Sequence, residues 1–325
     1  MTADLTILVP SSYRPEALRR CLDAISRQTV APRAVVVTLR PDDIEGERVC
    51  LHSEPPGPGV VHVVESGLIV ARKAGLDRAN TAWVAFLDDD AAPAPDWCER
   101  ALPYLGDPSV GCLGGRIIDF HGARTTARWI GASVPIARVD AFGRLLSHLH
   151  DIPEGRGRVE DVDFLPGSNL FIRAAVARLA DHGRAPGLAP GEELEWCMTA
   201  QDSGLRVVYD SSLVVAHYPA ARRGATARHD KVGYAFEYAY MMSYVLARHR
   251  RGPRRALVMA YSGLVGARVS PGLLLLAPCL ARPGLIRRWT AATKGRIQGW
   301  ADARRSLTKR HCRGNAGRAA GGAAR

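Results

Sequence analysis

Three consecutive carboxylates, Asp88-Asp89-Asp90, follow the apolar run Trp83-Val84-Ala85-Phe86-Leu87. The run has the composition of a buried strand, so the acids fall at the edge of a sheet. Adjacent like charges repel one another. A hard divalent cation, Mg²⁺ or Mn²⁺, offsets that repulsion because it prefers oxygen ligands. A metal held there would be placed to bind a diphosphate. A solvated acidic turn leading to a helix near Pro95-Asp96 would use the same residues, so the cluster alone leaves both readings open.

The elements around the cluster narrow the choice. Leu5–Val9 is a buried strand, Pro10–Arg14 a turn, and Pro15 opens a helix with apolar residues at Leu18, Cys21, Leu22 and Ile25. Strands are expected at 34–39, 60–64 and 83–87, with a helix at 69–79 and a Pro/Gly-rich loop at 55–59. Strands alternating with helices predict a mostly parallel sheet, in which ligands bind beyond the carboxyl ends of the strands. Ser12, Asp42 and Asp88 all fall at that edge. Residues 110–165, with Gly114-Gly115 and the basic segment Arg124–Arg128, are expected to form short strands and loops. A turn at Pro166–Asn169 precedes an apolar strand and a helix. Glu192, Glu193 and Glu195 open a further helix, where the dipole favours acids. Short strands are expected at 206–209 and 213–216, the second ending at His217.

Composition divides the chain. Residues 1–219 hold 22 Lys+Arg against 29 Asp+Glu, a net −7; residues 220–325 hold 22 against 3, a net +19. A basic appendage of this kind suits nucleic acid, an anionic membrane surface or an acidic partner. From about residue 230 the pattern is helical, beginning with an aromatic-rich stretch at 234–246. The uncharged runs 256–267 and 269–281 are shorter than the ~20 apolar residues that span a bilayer, and fit buried or interfacial helices. The small, basic end has the composition of a disordered tail. The expected organisation is a catalytic domain at 1–220, basic apolar helices at 221–310 and the tail at 311–325. The seven scattered cysteines form no CxxC pair, which argues against a zinc knuckle or disulfide framework and for a reducing cytoplasm. The start of the chain has no basic and apolar leader pattern.

Four segments in order resemble a family 2 glycosyltransferase of the GT-A fold. They are Val9-Pro10-Ser11 with Arg14-Pro15; Ala71-Arg72-Lys73-Ala74-Gly75 ahead of Asp88-Asp89-Asp90; Gly167-Ser168-Asn169-Leu170; and Gly191-Glu192-Glu193-Leu194-Glu195-Trp196. His217 is similar to the family's downstream metal-site histidine. The resemblance implies an inverting enzyme that moves a sugar from a nucleotide-diphosphate donor to a hydroxyl. It assigns Pro10, Ser11, Ser12, Arg14, Arg72, Asp88 and Asp89 to the nucleotide sugar. Asp90 is assigned to a Mn²⁺ or Mg²⁺, with Asp88 acting through metal or ribose and His217 through metal or phosphate. Glu193 stands as general base, and Gly167, Asn169, Glu192 and Trp196 face the acceptor. The acceptor would be a glycan, a lipid-linked or natural-product hydroxyl, or, in the alternative reading, a polyprenyl phosphate. A nucleic-acid binder, though the basic tail has no reading motif, and a catalytically dead sugar binder are the remaining alternatives. Leu285-Ile286-Arg287-Arg288-Trp289 lacks the Gln of the processive members' Gln-x-x-Arg-Trp, so one sugar per event is expected. The expected location is the cytoplasm, peripheral to the inner face of the cell membrane.

Overall fold

The computed structural model describes residues 2–55, 57–121, 127–153, 157–184, 187, 190–219, 230–276 and 282–322, with side chains to residue 308. They form two compact units: 1–140, 145–180 and 192–226 in the first, and 141–144, 181–191 and 227–325 in the second. The boundary expected at 220/221 and residues 124–126 of the basic segment lie outside the described residues.

The first unit opens β1 (Thr2–Pro10), α1 (Pro15–Ser26), β2 (Ala31–Leu39), α2 (Ile44–Leu51), β3 (Gly59–His62), α3 (Leu68–Arg78) and β4 (Trp83–Phe86). It continues with β5 (Ala91–Pro93), α4 (Trp97–Leu105) and β6 (Val110–Asp119). Four short strands follow, β7 (Trp129–Ile130), β8 (Ala137–Val139), β9 (Leu145–Ser147) and β10 (Ile152–Pro153). The unit ends with β11 (Val159–Asp161), β12 (Leu170–Arg173), α5 (Ala174–Leu179), α6 (Glu192–Asp202) and β13 (Arg206–His217).

The main sheet runs β11-β13-β6-β12-β4-β1-β2-β3, with β5 added to β13. The pairs β1–β2, β1–β4, β2–β3 and β6–β13 are parallel, and β12 is antiparallel to both β4 and β6. It follows that β1, β4, β6 and β13 all end at one edge, where β12 begins. The expected parallel α/β sheet is present, with α1 burying Leu18, Cys21, Leu22 and Ile25 against it. That apolar burial, worth roughly 25 cal/mol per Å² removed from water, holds the strand ends in place.

Two expectations about strands need correction. Residues 110–119 form a ten-residue strand inside the sheet rather than short pieces. Its glycines look like loop in sequence, but they answer a steric demand. A Cβ at Gly114 would lie 2.4 Å from the Asn169 carbonyl oxygen, and one at Gly115 would lie 2.1 Å from that of Leu213. The two short strands expected at 206–216 are one strand whose register slips between Asp210 and Val214.

The second unit contains α7 (Lys231–His249), α8 (Gly252–Leu264) and α9 (Pro283–Gly322). Of the helix expected over 269–281, described residues 269–272 are not helical. Gly266, at φ +70°, turns the chain after α8, and a 3₁₀ turn at Leu273–Leu275 leads to a helical Leu276, the last described residue of this stretch. Backbone helix continues through residues 311–322, where composition suggested disorder. Among the described residues no helix is long and apolar enough to cross a membrane.

Candidate active site

The carboxylates come together because of how the chain leaves β4. After Asp88-Asp89-Asp90 it enters β5, which lies antiparallel on the end of β13 with Ala91 opposite His217. The Tyr218 N–H donates to the Asp90 carbonyl at 2.8 Å and extends that ladder. Asp90 and His217, 127 positions apart in sequence, are therefore fixed side by side by backbone pairing. The ligating atoms of Asp88, Asp90 and His217 all lie within 4.8 Å of one another. Two carboxylate oxygens and one imidazole nitrogen make a donor set that suits Mn²⁺ or Mg²⁺.

The imidazole is oriented from behind. His217 Nδ1 donates to Asp119 Oδ1 at 2.6 Å, which turns Nε2 towards Asp90 Oδ1 at 3.2 Å. Asp119 is the last residue of β6 and pairs in register with His217. His150 Nδ1 approaches the second Asp119 oxygen at 2.9 Å. Burial lowers the imidazole's proton affinity, but the bonds to Asp90 and Asp119 outweigh it and raise the His217 pKa to about 9. Sequence reasoning missed Asp119 and His150. The signal for Asp119 was present: Ile117-Ile118-Asp119 is an apolar run ending in a carboxylate, like β4, but the glycines before it hid the strand.

Asp89 plays a different part from its neighbours. It is fully enclosed, accepting from Ser11 Oγ at 2.7 Å and pairing with Arg14 Nη2 at 2.6 Å. Burial pushes its carboxyl up to about 7 against the pull of Arg14 and Ser11. The structure thus encloses Asp89 beneath the turn after β1. Arg14 also reaches Asp90, at 3.2 Å. Pro10 closes β1 and Ser12 stands exposed beside Ser11.

Across the site, α3 presents Ile69, Arg72, Gly75 and Leu76 along one buried face. Arg72 is 2% exposed. It pairs with Asp88 at 3.0 Å, donates to the Gly167 carbonyl at 3.1 Å and pairs with Glu192. Its guanidinium lies 5.3 Å from the Phe86 ring centre and 5.7 Å from that of Trp196. Glu192 is 1% exposed, and burial pushes its carboxyl up to about 8 despite Arg72. Glu193, the next residue, is only partly buried. Its surroundings raise its proton affinity as well, again with Arg72 pulling the other way. A Cβ at Gly167 would lie 2.6 Å from Glu193 Oε1 and 2.9 Å from Arg72 Nη1, so glycine makes room for both.

Two residues expected to face the acceptor do not reach a surface. Asn169 is fully buried; its carbonyl oxygen accepts from Trp97 Nε1 at 2.9 Å, and its amide donates to the carbonyls of Leu213 and Arg116. Trp196 is 2% exposed and stacks on Phe86 with ring centres 4.3 Å apart. Both sit inside the sheet end, the amide bonded to the indole of Trp97 and two carbonyls and the indole stacked on Phe86.

With this geometry established, comparison places the chain among known proteins. Residues 3–231 match the model of the family described as glycosyltransferase like family 2. The pre-mycofactocin glycosyltransferase of Mycobacterium tuberculosis is 25% identical over 223 residues, covering 66% of this chain but only 42% of that protein. Among solved structures, Staphylococcus aureus TarS 1–349 in complex with UDP-GlcNAc superposes with a TM-score of 0.59 at 12% identity, over 95% of this chain and 92% of that one. A Pyrobaculum calidifontis mannosyltransferase in complex with GDP-Man and Mn²⁺ gives 0.51 at 15% identity, over 92% and 87%. At those identities the likeness establishes the GT-A fold. The family match covers most of the chain, which belongs to the glycosyltransferase like family 2.

Proposed function

We propose that this chain transfers one sugar from a nucleotide-diphosphate sugar to a hydroxyl acceptor, in a single displacement that inverts the anomeric carbon. The observation that carries the reading is that Arg72 ties Asp88 to the Gly167 turn, against which Glu193 Oε1 lies. One partly buried carboxylate is thereby held near the Asp88/Asp90/His217 group. Glu193 accepts the acceptor's proton as the hydroxyl attacks, and its raised proton affinity suits that task. Asp88, Asp90 and His217 would hold Mn²⁺ or Mg²⁺, which when bound neutralises the charge that grows on the departing diphosphate. Asp119 holds the imidazole in the tautomer that aims Nε2 at the cluster. Arg72 keeps Asp88, Glu192 and the Gly167 turn at fixed separation, and Ser11 and Arg14 hold the first turn against Asp89. The nucleotide sugars bound by the two solved relatives support the donor class. For the second unit the partner is an anionic membrane surface on the cytoplasmic side, because residues 220–325 carry +19.

Product stereochemistry by NMR together with Glu193→Gln tests the reading. Inversion is expected, with kcat reduced about 10²–10⁴-fold. Retention would remove the single-displacement mechanism. Inversion with a Glu193→Gln variant near full activity would point instead to a phosphate acceptor, which needs no base.

A further inference from the structure

Residues 265–275, which follow α8, are held by hydrogen bonds, yet this stretch exposes large apolar side chains. Leu273, Leu274 and Leu275 are 52%, 68% and 42% exposed, and Leu264 and Val265 are 46% and 37% exposed. An unconstrained loop would turn such residues inwards. This one is fixed by side chains of α9. Arg296, 3% exposed, donates to the carbonyls of Ser270 and Pro271 and to Ser262 Oγ. Trp289 Nε1 donates to the Gly272 carbonyl at 3.0 Å, and Arg288 to that of Arg268 at 2.9 Å. The Gly272 N–H returns to the Val265 carbonyl at 2.9 Å, which sets the end of α8 beside the leucines. Gly266 is obligatory, since a Cβ there would lie 2.3 Å from the Ser270 oxygen. The backbone therefore spends its polar groups inwards and leaves the leucines outside.

Along this stretch of sequence the charge has one sign. Between Glu237 and Asp302 the chain has no acidic residue and eleven Lys or Arg, among them the exposed Arg268, Arg282 and Arg287. Leucines beside arginines, with no acid between, fit a surface that is apolar below and anionic above.

We propose that Leu273-Leu274-Leu275 is a preformed wedge that inserts into the interface of an anionic lipid bilayer. The proposal rests on the reading of the second unit as membrane-facing and names the segment and mode of binding: a loop that enters the interface, not a helix that lies along it or crosses it.

Co-sedimentation of the full chain with phosphatidylcholine vesicles, with and without phosphatidylglycerol, tests it. Three proteins are compared: wild type, the L273S/L274S/L275S variant and the R282E/R287E variant. All five positions are exposed, and melting temperatures verify folding. Wild type is expected on the phosphatidylglycerol vesicles and not on the neutral ones. The serine variant should partition at least about tenfold more weakly, since serine side chains bring no apolar area to bury. The charge-reversed variant should weaken similarly at low salt. A serine variant that binds as well as wild type would overturn the wedge and leave the membrane reading standing. Wild type bound to neither vesicle would overturn both. Self-association in sedimentation velocity that the serine substitutions abolish, without vesicle binding, would assign the leucines to a second copy of the chain and overturn the proposal.

Discussion

Arginines at the candidate active site and at the loop after α8 do different work. In the first, Arg14 and Arg72 face carboxylates: Asp89 and Asp90 for one, Asp88 and Glu192 for the other. In the second, Arg288 and Arg296 face backbone carbonyls. A guanidinium matched to acids fixes where other charges sit, and these acids are the ones proposed for chemistry. A guanidinium matched to carbonyls fixes a loop and leaves the positive charge uncompensated. Both uses leave a buried cation dependent on its partners, so removal should cost stability in either place. Only in the first unit should it also cost catalysis.

The largest expected effect follows from breaking the first kind of pairing. Arg72→Met leaves Glu192 and Asp88 without their cation in a buried setting. Removing one partner of a buried ion pair costs about 3–5 kcal/mol. Denaturant unfolding should show that loss, and activity should fall with it. A variant of unchanged stability would mean that the acids simply take up protons and that the pairing contributes little.

A smaller effect sharpens the comparison, because it changes function and spares the fold. Asp119→Asn removes the charge that orients His217 but keeps the shape of β6. Mn²⁺ affinity, read by titration calorimetry, should weaken about 10–100-fold while the melting temperature stays near wild type. Equal metal affinity in both proteins would restrict Asp119 to holding strand ends.

The smallest effect belongs to the second unit. Burial raises the Asp181 carboxyl, but bonds from Ser306 Oγ and the Gly183 N–H outweigh it and bring it down to about 2. A depressed carboxyl stabilises the fold fully above its ordinary value near 4, and that contribution disappears as pH falls towards 2. The gap in melting temperature between wild type and Asp181→Asn should be widest near neutral pH and close between about pH 4 and 2. A gap that persists to pH 2 would assign the effect to packing.

How much the sequence disclosed differs from place to place, for physical reasons. Asp88–Asp90 and Glu192-Glu193 were legible because charges at the end of an apolar strand and in a helix's first turn leave a local pattern. Arg72 was singled out by the resemblance alone, and its burial on α3 had no local signature. The strand ending at Asp119 was not legible, because its glycines reflect the carbonyl oxygens of Asn169, just before β12, and Leu213 on β13, which no local pattern reports. Asp89, Asn169 and Trp196 belong to the right motifs, but their depth depends on what covers them, and that is set by distant parts of the chain. The segment after Gly266 has the composition of a helix, yet Arg296, thirty residues on, supplies the hydrogen bonds that hold it as a loop.

The central claim is that Asp88, Asp90 and His217 form the metal centre of a nucleotide-sugar site. A thermal-shift panel of UDP, GDP, dTDP, CDP and ADP, with Mn²⁺ and then with EDTA, on wild type and Asp90→Ala, tests it most directly. The expected result is stabilisation by one diphosphate that requires Mn²⁺ and is lost in Asp90→Ala. Stabilisation that survives EDTA and the substitution alike would contradict it.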